Sequence, residues 1–201
     1  MDVWEYERAY IEAGFNRVAG ADEAGRGPLA GAVFAAAVIL PFGLSIKGLD
    51  DSKKVSPKMR ELLFDEICEK AVCFAICQRD ERQIDTVNIL NASLQAMGEA
   101  VETLQPAAEA ALIDGNKAPK LLIPVKAVIK GDSLSASISA ASILAKVSRD
   151  RYMLEMAEKY PEYEFEKHKG YPTKAHIEAV KRFGPCPIHR KTFLTKIYPG
   201  I

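Results

Sequence analysis

Residues 17–40 read RVAGADEAGRGPLAGAVFAAAVIL, and this stretch decides the fold. Two apolar, partly β-branched runs, 17–23 and 29–40, flank the glycine-rich Gly25-Arg26-Gly27-Pro28, which is the pattern of two adjoining strands. The first run closes on two carboxylates, Asp22 and Glu23. Gly25-x-Gly27-x-x-x-Gly31, with Asp50 and Asp51 about twenty residues beyond, also has the outline of a dinucleotide-binding fingerprint. That fingerprint needs a helix after its glycines. AVFAAAVIL is instead a continuous apolar run with β-branched ends, a buried strand, so an oxidoreductase is set aside.

Working outward, Ser56-Pro57 supplies an N-cap and a first-turn proline to a helix over KMRELLFDEICEKA, with Met59, Leu62, Leu63, Glu66 and Ile67 on one stripe. AVCFAICQ (71–78) reads as a third strand, and VNILNASLQAMGEAVETL (87–104) as a helix with Ile89, Leu90, Leu94, Met97, Val101 and Leu104 at helical spacing. AALID (110–114) and PVKAVIKGD (124–132) give two more strands, and ISAASILAKVSRDRYMLEMAEKY (138–160) a long helix. The order β-β-α-β-α-β-β-α predicts an α/β fold, a mixed sheet with helices packed on its faces. No repeat, low-complexity tract or Gly/Ser linker divides the chain, so residues 1–201 are expected to form one domain. Residues 161–201, with a helix at 173–183 and a Pro/His/Arg-rich tail, form a C-terminal extension.

The four cysteines, Cys68, Cys73, Cys77 and Cys186, lack CxxC pairing and read as reduced thiols, three of them filling a helix-strand core. The N-terminal MDVWEYERAYIEAG is acidic and amphipathic, unlike a signal peptide, and no stretch approaches the ~18 apolar residues of a membrane span. A soluble, cytoplasmic protein is expected, and with no clear oligomerisation surface, a monomer. Formal net charge is zero, yet residues 1–114 hold 11 Lys/Arg against 19 Asp/Glu, and residues 115–201 hold 16 against 8. An acidic centre beside a basic surface suits a polyanion that is held by one and cut at the other.

Carboxylates at the ends of apolar strands need a reason, because a buried charge without a partner is costly. Asp22-Glu23, Asp114 and Asp132 each follow such a run. Singly, each is an ordinary solvated residue where a strand emerges into a loop. Strand ends of one sheet can converge, however, and converging acids repel unless a cation lies between them. An all-oxygen set without His or Cys favours a hard ion, Mg²⁺ or Mn²⁺.

VAGADEAGRGPLAGAV (18–33), LDDSKKVS (49–56), LIDGN (112–116), KGDS with ISAASILAKVSRD (130–150) and HKGYPTKAH (168–176) together resemble the successive motifs of bacterial ribonuclease HII, of the type 2 ribonuclease H family. The resemblance implies an RNase H-like fold, a catalytic and metal-binding set of Asp22, Glu23, Asp114 and Asp132, and use of Mg²⁺ or Mn²⁺. It implies cleavage of RNA/DNA hybrids and of duplex DNA carrying single ribonucleotides, cut on their 5′ side. It also assigns Gly25-Arg26-Gly27 to the ribonucleotide, where glycines let a backbone come close to a 2′-hydroxyl, and Tyr171 to the sugar of the following nucleotide. Residues 161–201 become a substrate-binding extension.

Lys53, Lys54, Lys146, Arg149 and Arg151 are candidates for phosphate contacts, Lys53 and Lys146 foremost because they lie in the matched motifs. His168, His176 and His189, scattered and without a pairing motif, read as structural or phosphate-facing. Two rivals remain: a binding protein for hybrids without catalysis, which would leave four carboxylates idle beside a polyanion, and another nuclease on the same fold. The glycine loop and Tyr171 argue against the second.

Overall fold

The computed structural model describes residues 2–49, 55–195 and 197. Its centre is a five-stranded sheet in the order β3-β2-β1-β4-β5, made by β1 (Val18–Ala24), β2 (Val33–Ile39), β3 (Cys73–Arg79), β4 (Ala110–Asp114) and β5 (Val125–Val128). β2 runs antiparallel to both β1 and β3, and β4 and β5 lie parallel to β1. This is the mixed α/β sheet expected from the sequence. The helices are α1 (Glu5–Glu12), α2 (Pro57–Lys70), α3 (Glu81–Val87), α4 (Ile89–Thr103), α5 (Ala136–Lys159), α6 (Phe165–His168), α7 (Lys174–Phe183) and α8 (Lys191–Leu194).

All seven residues of β2 are buried. Along β1 and β2, Ala19, Ala21, Ala35 and Ala37 face α4 and pack on Ala96, Met97, Ala100 and Val101. The opposite face carries α5, whose start lies almost on the sheet: a Cβ at Gly20 would stand 2.2 Å from the Ser137 carbonyl carbon. Only glycine admits that approach. Ser135 caps α5, and the buried Glu7 of α1 takes hydrogen bonds from Ser135 Oγ (2.6 Å) and Ser137 N (3.0 Å). A carboxylate there also complements the positive end of the helix dipole.

Beyond α5 the chain folds back. Tyr163, Phe165, Val180 and Ile188 build a separate apolar cluster on Met153 and Met156, and Leu29 and Ala30 join it from the loop between β1 and β2. The extension is therefore packed against the very loop that carries the glycines.

Several boundaries differ from the sequence reading. Residues 29–32 lie outside β2, because the carbonyls of Ala30, Gly31 and Ala32 are taken by the side chains of Arg149 and Arg190 and that of Leu29 by the Arg190 amide. Of the expected α2 stripe, Met59 and Leu62 are exposed and the buried pair is Leu63 and Ile67, since α2 meets the body along one narrow edge. A separate helix, α3, precedes α4, closed by an Asp80/Gln83 capping box. All four cysteines are free and half-buried. Among the described residues, no helix is long and apolar enough to cross a membrane.

Candidate active site

The register of β1 on β4 pairs Gly20 with Leu112 and Ala21 with Ile113, which carries Asp22 to the side of Asp114 at the two strand ends. Asp132 arrives differently. It lies in a 3-10 turn (Gly131–Ser133) between β5 and α5, after Lys130 in the left-handed conformation. The turn is fastened to β4 by Gly131 N, which donates to Asp114 Oδ1 at 2.6 Å, with Asp132 N more distant at 3.4 Å. A cleft of about 540 Å³ results, lined by Asp22, Glu23, Asp114 and Asp132 together with Gly25, Arg26, Gly27, Arg60, Ser142, Lys146 and Tyr171.

Burial, then Glu23 and Asp114, push the Asp22 carboxyl well above the usual carboxylate range, against the hydrogen bond it accepts from Glu23 N at 2.7 Å. Asp132 adds to the push. Burial likewise raises Glu23, opposed by Arg26, whose guanidinium lies 3.3 Å away. Such a cleft disfavours its own negative charge, and positive charge placed among these oxygens would relieve it. The donors, all carboxylate, fit a hard divalent ion. Among the described residues, no group of three or more His, Cys, Asp or Glu side chains is gathered closely enough to hold a metal ion as it stands. Like charges sharing a cleft stand apart.

The glycine loop forms one wall. Gly25 takes φ +104°, and a Cβ there would lie 2.1 Å from Arg149 Nε, so no other residue fits. Gly27 lies beside the Tyr171 ring, 3.6 Å from where its Cβ would be to Tyr171 Cε1. Tyr171 is 41% exposed, with the buried Arg149 guanidinium over its ring at 5.8 Å from the centroid.

A sequence model of the Ribonuclease HII family matches residues 19–196. The chain belongs to the ribonuclease HII family. It is 56% identical over 189 residues to Ribonuclease HII of Ruminiclostridium cellulolyticum, covering 94% of this chain and 74% of that one. With Ribonuclease HII of Caldicellulosiruptor saccharolyticus it shares 50% over 194 residues, 96% and 95% of the two chains. The ribonuclease H2 crystal structure from Pyrococcus horikoshii superposes with a TM-score of 0.75 at 28% identity, covering 90% of this chain and 96% of the other. The protein is thus a ribonuclease H, an endonuclease on an RNase H-like sheet.

Within this ribonuclease HII framework the cationic residues part company. Lys146 lines the cleft and pairs with Asp150 at 2.6 Å. Lys53 and Lys54 lie outside the described residues. Arg149 is wholly buried beneath the glycine loop and so is not placed for phosphate, and Arg151 is paired with Glu61 and packed over Phe64, absent from the cleft lining. Arg60 lines the cleft, 3.7 Å from Asp150, and was not singled out in the sequence. On a helix surface an arginine carries no local mark of where it points.

The histidines are buried together rather than facing phosphate. His189 Nδ1 accepts from Cys186 N at 3.0 Å, which puts its proton on Nε2, toward His176 Nε2 at 3.1 Å. His176 Nδ1 then donates to the Tyr171 carbonyl at 2.9 Å. His168 stacks on His176 with ring centroids 4.4 Å apart. Burial first, then the neighbouring imidazoles, lower His176 and His189 to about 4, so both are neutral near pH 7. The relay fixes the backbone of Tyr171.

Proposed function

We propose that this ribonuclease H hydrolyses the RNA strand of RNA/DNA hybrids and cuts on the 5′ side of ribonucleotides embedded in duplex DNA, leaving a 3′-hydroxyl and a 5′-phosphate. The observation that carries the reading is the meeting in one cleft of Asp22, Glu23, Asp114 and Asp132 with Gly25–Gly27 and Tyr171. The four carboxylates are the residues that would hold Mg²⁺ or Mn²⁺. Bound there as a pair, such ions would supply Lewis-acid stabilisation to the attacking and departing oxygens of an in-line displacement.

The chain's own residues do the rest. The backbone of Gly25-Arg26-Gly27 reads the 2′-hydroxyl, and the Tyr171 ring packs on the neighbouring sugar. Lys146, Arg60 and Lys53 neutralise phosphates and hold the duplex without reading its sugars. Residues 161–201 are a substrate-binding extension of one domain, because they present Tyr171. A histidine route, in which the 2′-hydroxyl itself attacks, needs an acid and a base that change protonation near pH 7. His176 and His189 are held neutral, buried and committed to each other.

The test is cleavage of an end-labelled DNA duplex carrying one ribonucleotide, with Mg²⁺ and Mn²⁺ supplied in turn. Cutting that needs either ion and is confined to the junction before the ribonucleotide supports the reading. Cutting of an all-DNA control, or none of either substrate, refutes it.

A further inference from the structure

Two arginines are buried completely, Arg149 and Arg190, and among the described residues neither makes an ion pair. A guanidinium taken out of water needs strong compensation. Here it comes from backbone carbonyls of a single loop. Arg190 donates to Gly25 O at 2.7 Å, Arg26 O at 3.2 Å, Pro28 O at 2.9 Å and twice to Gly31 O, at 2.9 and 2.7 Å. Its own N–H reaches Leu29 O at 2.9 Å. Arg149 takes Ala30 O and Ala32 O, each at 3.2 Å.

The selection matters. From residue 25 to residue 32 every carbonyl but one is engaged, and the one without a partner among the described residues is Gly27's. The Leu29 and Gly31 amides are also taken, by Gly170 O and Ile188 O, whereas those of Gly25, Arg26, Gly27 and Ala30 have no acceptor among the described residues; Ala30 is fully buried, and the other three line the cleft. The Arg26 and Gly27 N–H groups and the Gly27 C=O, on adjacent residues lining the cleft, are a complement for one hydroxyl, which both donates and accepts.

We propose that Arg190 is a positioning residue for ribonucleotide recognition: from behind the loop it fixes the Gly25–Gly31 carbonyls so that the Arg26 and Gly27 amides and the Gly27 carbonyl are presented to the 2′-hydroxyl. The segment around Arg190 is thereby part of the recognition apparatus although it does not line the cleft. The guanidinium fork is needed, because one planar group reaches four carbonyls in fixed directions and an ammonium cannot. This inference rests on the reading of Gly25-Arg26-Gly27 as the 2′-hydroxyl contact.

The experiment compares Arg190→Met and Arg190→Lys with the parent enzyme in three measurements: kcat on a duplex with one ribonucleotide, affinity for the same duplex made wholly of DNA, and amide hydrogen exchange. Loss of fixed geometry predicts a fall in kcat of about tenfold or more, with all-DNA affinity unchanged within about twofold. Exchange should quicken across residues 25–31 and stay as it was in β4 and α4. Lysine should restore little. If the methionine variant does not fold, the lysine variant is judged by the same criteria. Parental kcat in a folded variant overturns the proposal, as does an equal fall in kcat and DNA affinity with faster exchange throughout the sheet. Gly27→Ala separates the two layers, since its Cβ has ordinary room against Tyr171. If it cleaves like the parent, the loop reading itself fails; if it loses cleavage while the Arg190 variants keep theirs, only the role of Arg190 fails.

Discussion

Gly131 and Asp114 are joined by a 2.6 Å hydrogen bond from the glycine amide to the aspartate Oδ1, so one cleft carboxylate holds in place the turn that presents another. A Cβ at position 131 would stand 2.5 Å from Ile138 Cδ1 and 3.3 Å from that same Asp114 oxygen. Gly131→Ala should therefore push the turn outward. We expect a stability loss of about 1–3 kcal/mol from overpacking, and a fall in cleavage larger than that loss explains. A variant that melts lower yet cleaves at the parental rate would show that Asp132 need not be held to Asp114.

Asp22→Asn, Asp114→Asn and Asp132→Asn should each lower cleavage by about a hundredfold or more, as expected when a transition-state electrostatic group is lost. The Asp22 substitution has a second consequence. Burial and three acidic neighbours oppose its charge, so in EDTA the Asn variant should melt at or above the parental temperature. A lower melting temperature there would mean that the Asp22 charge stabilises the fold, contrary to this account.

These carboxylates were legible in the sequence because strand periodicity puts successive side chains on opposite faces and ends each apolar run at a charged residue. The β1–β4 register then brings Asp22 beside Asp114 without any further information. Asp132 reads as the end of a strand run that stops at Val128 in the structure, leaving it in a 3-10 turn, and Tyr171 needed the family motifs, since a short loop has no periodicity to follow. Arg190 was not legible. Its partners lie 159 to 165 residues away, and nothing in GPCPIHRKTF says that a basic residue will be buried against carbonyls. Arg149 was misread for the same reason: on a helix of alternating faces, local sequence cannot tell a cleft-facing arginine from one folded under a loop.

Tyr171→Ala should reduce cleavage at a single ribonucleotide by about tenfold or more while leaving salt-dependent affinity for plain duplex DNA nearly intact, because phosphate contacts carry bulk affinity and the ring carries sugar contact. Parallel kinetics and binding titrations across salt concentrations separate these. An equal drop in both would make Tyr171 a general docking residue.

The His176–His189 pair makes the extension sensitive to acid. Both folded-state values lie near 4 against 6.5 for a free imidazole, so the unfolded chain binds protons first. By linkage, the stability these residues contribute is complete above about pH 6.5 and is lost as pH falls toward 4. Imidazole resonances of His176 and His189 should not titrate between pH 8 and about 5. Midpoints near 6.5 would mean that the rings are not buried against each other.

The central claim is that cleavage runs through the carboxylate cleft, with the 2′-hydroxyl recognised and not consumed. The most direct measurement is end-group analysis of a duplex carrying one ribonucleotide, cut with Mg²⁺ or Mn²⁺ and, in parallel, in EDTA. The account predicts a 3′-hydroxyl and a 5′-phosphate at the junction on the 5′ side of the ribonucleotide, and no product in EDTA. A 2′,3′-cyclic phosphate, or cleavage that persists in EDTA, would contradict it.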